Sequence, residues 1–151
     1  MQGKSITFTV PGVPTAKGRA RSFVRNGHVA HYTPEKTVLY ENLVKMAAQV
    51  AMGFSILDPR KPLDPPIDGA CELNLTLHMP IPASWSAKKR TAALAGLILP
   101  TTKPDSSNVL KAIEDAMNGV VWIDDKQVVD HNIRRRYSDT PKAIIEVRRI
   151  G

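Results

Sequence analysis

Residues 106–117 constrain the fold most, because their apolar side chains recur at helical spacing and helix-breaking residues stand at both ends. Pro104 lies shortly before the segment, and Asn118-Gly119 follows it where helices commonly end. The apolar residues of the segment are Val109, Leu110, Ala112, Ile113, Ala116 and Met117. A helix with one apolar stripe must bury that stripe against another element. The segment therefore predicts a helix that packs on a core through one face.

Several other segments predict a sheet for this helix to pack on. Alternation of apolar and polar residues, and apolar runs between turn residues, are the signals for strands. The predicted strands are residues 6–10, 72–78, 127–133 and 143–150. Thr33-Pro34 predicts the start of a second helix, with Thr33 as N-cap, and residues 87–95 predict a short basic helix. Together they predict an α+β fold, a single domain in which a mixed β-sheet is packed with helices.

The charge of the chain favours a polyanionic partner. Its 151 residues include 21 Lys and Arg but only 14 Asp and Glu, which gives a formal net charge of +7. This balance indicates nucleic acid first and an anionic membrane surface second, although a solvated basic surface is the simpler alternative. Asn26-Gly27 predicts the tight turn of a basic hairpin. The candidate DNA contacts are Lys17, Arg19, Arg21, Arg25, Lys88, Lys89, Arg90, Arg134, Arg135 and Arg136.

Cysteine usage and hydropathy indicate a soluble protein of the cytoplasm. Cys71 is the single cysteine of the sequence, so it has no internal disulfide partner, and we expect a core thiol in a reducing compartment. No run approaches 18 consecutive apolar residues, and the start of the chain lacks the pattern of a signal peptide. We therefore expect no membrane association.

Two groups of carboxylates flank the helix at 106–117, and they are the candidates for chemistry. Asp105 precedes the helix, and Asp124-Asp125 follow it. Carboxylate oxygens are the ligands that Mg²⁺ prefers, and such an ion supports phosphodiester cleavage. Lys111 and Asp115 lie on one helix face together with Asn108. The simpler alternatives are an N-capping aspartate, two turn residues and a surface ion pair between the lysine and its neighbour.

The same residues carry a resemblance to a known family. The pattern is Asp105-x-x-Asn108-x-x-Lys111-x-x-x-Asp115-Ala116, then Asn118-Gly119-Val120-Val121-Trp122-x-Asp124-Asp125-x-Gln127-Val128-Val129, with Pro14-x-x-Lys17-Gly18-Arg19 upstream. This pattern closely resembles the RusA family of Holliday junction resolvases, which are mostly encoded by phages and prophages. The resemblance covers residues 1–151 as one endonuclease domain. The loop and basic helix over 80–104 are similar to an insertion relative to the shortest members.

The resemblance implies a function and a set of site residues. RusA-like enzymes are homodimers that resolve four-way DNA junctions in recombination and repair, using Mg²⁺ or Mn²⁺ and no small-molecule cofactor. By this similarity, Asp105 and Asp125 are catalytic metal ligands, Lys111 is a catalytic cation, and Asp124 is a further candidate ligand. The family's second aspartate falls on Ser107 in this sequence. A serine hydroxyl is neutral and a weaker ligand, so the cluster lacks one negative charge.

Two readings of the function remain open at this stage. The first is a metal-dependent, structure-selective endonuclease whose activity Ser107 reduces. The second is a non-catalytic junction- or DNA-binding relative, for which Ser107 is the supporting feature. An RNA-binding protein is a weaker third reading, because the chain has few aromatic residues and no strand rich in them. For a homodimer, the expected interface segments are Val120-Val121-Trp122, with Trp122 as the aromatic anchor, and the strand at 6–10.

Overall fold

The four predicted strands come together in one mixed sheet. The structure is a computed structural model that describes residues 4–18, 21–32, 34–53, 57–58 and 64–151, with the backbone alone for residue 21. In chain order, its elements are β1 (Ser5–Pro11), β2 (Arg21–Arg25), β3 (His28–Tyr32), α1 (Glu35–Ala51), β4 (Cys71–Pro80), α2 (Ala87–Leu94), α3 (Ser106–Met117), β5 (Val128–Ser138) and β6 (Lys142–Arg149). The predicted α+β class, mixed sheet and single domain are confirmed.

The sheet has the strand order β1-β6-β4-β5. Its β4 and β5 run parallel, whereas the other two neighbouring pairs are antiparallel. Parallel neighbours need a crossover connection. That crossover contains α2 and α3, so the topology places the start of α3 and the beginning of β5 on the same connection. The two sets of carboxylates that flank α3, Asp105 and Asp124-Asp125, both lie on this connection.

One face of the sheet forms the core, and α1 and α3 pack against it and against each other. Every second residue of β4 is buried: Cys71, Leu73, Leu75, Leu77 and Met79. Leu75 pairs with Ile145 of β6, which in turn pairs with Phe8 of β1, so apolar side chains continue across three strands. Burial of Cys71 confirms the prediction of a core thiol.

The prediction that Trp122 anchors a dimer interface is wrong. Its side chain is 0% exposed within one chain, and its Nε1 donates a hydrogen bond to Asn118 Oδ1 at 2.6 Å. The apolar run that includes Trp122 lies between α3 and a single turn of 3-10 helix at Asp125–Gln127, and it packs into the core. An indole with its N–H satisfied inside its own chain has nothing left to offer a partner.

The basic hairpin is confirmed, and the start of α1 differs from the prediction. Asn26 and Gly27 have φ of 52° and 77°, the left-handed backbone that a two-residue hairpin turn requires. Pro34 is the N-cap of α1 rather than its first helical residue, and it makes no side-chain capping hydrogen bond. Thr33, the predicted N-cap, lies outside the described residues.

The segment at 80–104 folds back onto β5. Ser86 caps α2, because its Oγ accepts a hydrogen bond from Lys89 N at 3.2 Å. The Trp85 ring meets Tyr137 of β5 edge-on, with centroids 5.2 Å apart. Its status as an insertion stays a prediction. Within the part of the chain that the structure describes, no helix is both long and apolar enough to cross a membrane.

Candidate active site

Helix α3 buries one face and presents charged groups on the other. Its buried residues are Val109, Ala112, Ile113, Ala116 and Met117. On the other side, Lys111 is exposed, and Glu114 and Asp115 are half-buried. Asp105 occupies the N-cap position with extended backbone, but its exposed side chain makes no capping hydrogen bond. The simple capping role considered for Asp105 therefore does not occupy its carboxylate.

A capping box holds the turn that carries the second carboxylate group. Asp124 is the N-cap of the 3-10 turn, and its Oδ1 accepts a hydrogen bond from Lys126 N at 2.9 Å. The Oε1 of Gln127 accepts from Asp124 N at 3.0 Å, which completes the box. The Nε2 of Gln127 donates to Ile67 O and Gly69 O at 2.8 and 2.9 Å. One glutamine therefore fastens the turn to the segment that precedes β4.

Asp124 and Asp125 have opposite pKa shifts. The N–H of Lys126 lowers the pKa of Asp124. Burial raises the pKa of Asp125, and its neighbour Asp124, then the charge of Asp115, raise it further. The positive charge of Lys111 acts in the opposite direction and lowers it. The ionised form is therefore favoured at Asp124 and disfavoured at Asp125.

Glu114 extends the acidic cluster, which is defined here as Glu114, Asp115, Asp124 and Asp125. Burial raises the pKa of Glu114, and the charges of Asp125 and Asp115 raise it as well. His131 on β5 opposes this shift through a contact of 3.2 Å between its Nε2 and Glu114 Oε2. The family pattern did not single out Glu114. Its helical spacing from Lys111 was the signal available in the sequence.

Lys17 has a role that the sequence analysis missed. Its Nζ donates to Asp115 Oδ2 at 2.7 Å and to Glu41 Oε1 at 2.8 Å, and its backbone N–H donates to Asn108 O at 2.9 Å. Burial lowers the pKa of Lys17, but the hydrogen bonds and charges of the two carboxylates outweigh burial and raise it overall. Lys17 thus joins α1 to α3 beside the acidic cluster, and its contact with DNA stays a prediction.

Arg135 also turns inward. Its Nη1 donates to Thr102 O at 2.8 Å and to Pro104 O at 2.7 Å, which fixes the loop that leads into Asp105. Arg135 was predicted as a DNA contact, and the structure instead gives its guanidinium two backbone acceptors. This interaction positions the start of α3.

The remaining candidate DNA contacts divide between the hairpin, α2 and β5. Arg25, Lys88, Lys89, Arg134 and Arg136 are exposed, whereas Arg90 is half-buried. The Lys89 Nζ lies 4.0 Å from the centroid of the Trp85 ring, which fixes it by a cation–π contact. Arg19 and the side chain of Arg21 lie outside the described residues. The exposed cations are free to approach a phosphate backbone, and their contact with DNA stays a prediction.

The predicted metal ligands are only partly brought together. Asp124 and Asp125 lie on one turn, but the acidic neighbours that raise the pKa of Asp125 are Asp124 and Asp115, not Asp105. Among the residues that the structure describes, no group of three or more His, Cys, Asp or Glu is arranged to hold a metal ion. Ser107 is exposed in the first turn of α3 and adds no carboxylate.

The donor set nevertheless suits a hard divalent cation. Mg²⁺ is usually held by one or two carboxylates, with waters and substrate phosphate completing its octahedron. Two adjacent carboxyl groups on one turn provide that donor set, because a cation between them offsets both negative charges. Asp124 and Asp125 would hold the ion, and Asp105 is the third candidate from the other end of α3.

Comparison with known proteins places most of the chain in one family. The family model described as Endodeoxyribonuclease RusA matches residues 11–148. The chain is also similar to the "Uncharacterized protein YqaN" of Bacillus subtilis (strain 168), with 35% identity over 148 residues, 97% of each chain. The match to the family model includes α3, the 3-10 turn and β5, the elements that carry the acidic cluster.

Proposed function

The chain belongs to the RusA family of endodeoxyribonucleases, and on that premise we propose that it resolves four-way DNA junctions by paired, metal-dependent nicks. The observation that carries this proposal is the pair of adjacent carboxyl groups of Asp124 and Asp125, which lie on a turn held by a capping box, with the charge of Lys111 acting on Asp125. A concentrated negative site on a chain of net charge +7 suits a nuclease, because the basic surface attracts DNA and the acidic site recruits a cation.

Each residue of the site has a proposed task. Asp124, Asp125 and Asp105 bind the cation, and Gln127 keeps the first two in place through the capping box. A bound divalent cation supplies the positive charge that lowers the pKa of an attacking water and offsets charge on the phosphate. Lys111 is exposed, so its ammonium group can reach a phosphate oxygen and stabilise the charge that develops there.

We propose a homodimer, because two matched nicks on a junction with near two-fold symmetry need two equivalent sites. The surface that favours a second copy is an apolar stripe on α1 formed by Leu39, Leu43, Met46 and Val50. Three of these side chains are 61–63% exposed, and Leu43 is half-buried. Their spacing of four, three and four residues is typical of helices that pair. The flanking Asn42 and Gln49 are uncharged, so two copies meet there without like-charge repulsion.

A cavity beside this stripe supports the same surface. It has a volume of about 360 Å³ and lies between α1 and the edge strand β1, with Phe8, Pro11 and Met46 among its lining residues. Apolar side chains of a second copy would remove this surface from water. The proposed interface is therefore on α1 and not at Trp122. The strand at 6–10 contributes to it only as the edge strand that borders the cavity.

Ser107 favours a second candidate function, a relative that binds junctions without cutting them. The serine is exposed in the first turn of α3, where a carboxylate would add a charged ligand. The described residues offer no group of three or more His, Cys, Asp or Glu side chains arranged to hold a metal ion. Magnesium needs few protein carboxylates, however, so the loss weakens metal binding rather than removing it.

The proposed function is tested on a synthetic four-way junction. The protein is incubated with the junction or with a linear duplex of the same sequence, in Mg²⁺, in Mn²⁺ or in a chelator. We expect cuts in two opposing strands of the junction, dependent on the metal, and no cut in the duplex. Tight junction binding without cuts at any metal concentration would favour the non-catalytic relative.

A further inference from the structure

A cleft beside the acidic site has no role in the proposed binding of the metal ion or in the cutting step. It has a volume of about 800 Å³ and lies between the loop at 12–18, the start of α1 and the loop at 103–104. Pro14, Ala16, Pro34 and Pro104 contribute its apolar walls. The size is within the range of about 300–1,000 Å³ that small-molecule sites occupy.

The cleft is preformed by close packing of the loop on α1. Gly18 N donates to Thr37 Oγ1 at 2.8 Å, and Thr37 is only 2% exposed. A Cβ atom at Gly18 would lie 2.9 Å from Pro34 Cγ, so the loop approaches α1 as closely as a glycine allows. Lys17, next to this glycine, is held by carboxylates of α1 and α3. The cleft therefore keeps its shape without a ligand, which lowers the cost of binding one.

The far wall of the cleft continues into the candidate active site. Pro104 lines the cleft, and the next residue is Asp105. Arg135 holds the carbonyls of Thr102 and Pro104, so this wall and the start of α3 have a fixed relation. A ligand in the cleft lies one residue away from a proposed metal ligand.

The charges of the cleft favour an anion. Lys36 and Lys103 line it, and none of the described lining residues is acidic. The N-terminus of α1 at Lys36 adds partial positive charge from backbone N–H groups. A ligand that uses both the apolar walls and the lysines has an apolar body and a negative group.

We infer that this cleft binds one unstacked nucleotide of the strand that is cut, which rests on the proposed action on DNA. The base packs between the prolines, and its phosphate contacts Lys36 and Lys103. Extruding a nucleotide is least costly where pairing is already disturbed, as at the branch point of a junction. The cleft thus selects branched over continuous duplex, because a fully paired strand has no free base to place there.

The test uses two single-stranded probes of equal charge, hexathymidine and the corresponding abasic hexamer, titrated onto the full chain by fluorescence anisotropy. We expect hexathymidine to bind about tenfold or more tightly than the abasic probe, because the abasic probe has no base to bury between the prolines. The Lys36→Ala/Lys103→Ala variant should weaken hexathymidine binding about tenfold or more, through loss of two charge-assisted contacts. The control Lys4→Ala/Lys45→Ala loses the same charge away from the cleft and should change affinity less than about twofold.

A second measurement locates the bound base. Backbone amide signals of Thr15, Ala16 and Gly18 should shift in NMR spectra with hexathymidine and much less with the abasic probe. Three results would each overturn the assignment of a nucleotide site to the cleft. They are equal affinity for the two probes, equal losses of hexathymidine affinity in both double variants, and amide shifts confined to other elements. The unmodified chain is also tested for cutting of the four-way junction. Retained hexathymidine binding in the cleft of an unmodified chain that cuts no junction would contradict the proposed function alone.

Discussion

Asp124 and Asp125 are adjacent residues whose carboxyl groups are made different by their surroundings. Asp124 accepts a backbone N–H and is held in its ionised form, while Asp125 is partly buried among negative charges. Opposite pKa shifts on neighbouring carboxyl groups are a mark of functional sites, although structural networks also produce them. Among the residues that the structure describes, no cation pairs with Asp125 as closely as Lys17 pairs with Asp115. A bound divalent cation would supply that missing positive charge.

At Ser107, restoring a carboxylate should strengthen metal binding. Ser107→Asp adds a charged oxygen ligand at an exposed position of α3. We expect the Mg²⁺ concentration for half-maximal cutting to fall about tenfold, because ligand charge sets the affinity of such sites. The control is Ser106→Asp, which adds the same charge to the same helix N-terminus one position away. Equal effects of both substitutions would assign the change to the helix dipole instead.

Lys111 should contribute to the transition state more than to binding. Lys111→Ala removes the cation that acts on Asp125, and we expect single-turnover cutting to fall by about 10²-fold or more. Junction affinity should change by less than about threefold, since one phosphate contact among many is lost. Lys45→Ala, on an exposed part of α1, serves as the control. An equal loss of affinity and rate in Lys111→Ala would make this lysine a plain phosphate contact.

At the scale of elements, Lys17 connects α1, α3 and the loop at 12–18. Its ammonium group bridges Glu41 and Asp115, and all three side chains are 22–27% exposed. Its pKa is raised above 10.5, so its contribution to stability is fully present at neutral pH and is lost as the pH rises through that raised value. The bridge therefore stabilises the packing of α1 on α3 at every pH where the protein would act.

Lys17→Met should lower the free energy of unfolding by about 1–3 kcal/mol at pH 7, because it leaves two partly buried carboxylates without their cation. Urea denaturation followed by circular dichroism measures this loss. Lys45→Met, at an exposed position of α1, should have a small effect of about 0.5 kcal/mol or less. If both variants unfolded at the same urea concentration, the bridge would contribute nothing measurable.

The sequence predicted the elements whose signals are local. The apolar stripe of α3 and the Asn26-Gly27 turn each depend on a few neighbouring residues, and both are present in the structure. The bridge from Lys17 to Asp115 joins residues 98 positions apart, and no local pattern indicates it. The capping box from Asp124 to Gln127 could have been predicted from the sequence, since an aspartate followed by glutamine three positions later is its signature.

At the scale of the whole molecule, the sequence could not distinguish a core aromatic residue from an interface one. Trp122 is apolar and aromatic, which suits both places, and only the folded chain shows that α3 and the 3-10 turn enclose it. The exposure of the apolar stripe on α1 could not be predicted for the same reason. Its residues continue the helical spacing of the core face, and only their exposure separates the two sides of the helix.

Met46→Asp should break the proposed dimer. Met46 is 61% exposed on α1 and lies in the centre of the apolar stripe, so a carboxylate there would be buried without a partner in the dimer. Analytical ultracentrifugation should show a mass near 33 kDa for the unmodified chain, twice 16.6 kDa, and 16.6 kDa for the variant. Leu97→Asp is the control, because Leu97 is 79% exposed after α2 and away from the stripe. A monomeric unmodified chain that still made paired nicks would refute the symmetry argument.

We propose that the acidic cluster drives metal-dependent cutting of a branched DNA. The most direct measurement compares the unmodified chain with Asp125→Asn on one labelled junction, with binding and strand cleavage followed in the same samples. The amide keeps the shape of the side chain but removes its charge, so we expect unchanged junction affinity and a loss of cutting of about 10³-fold or more. Asp139→Asn, in the exposed turn before β6, should cut as the unmodified chain does. Full metal-dependent cutting by Asp125→Asn would show that the Asp125 carboxylate is not needed, contrary to the proposed function.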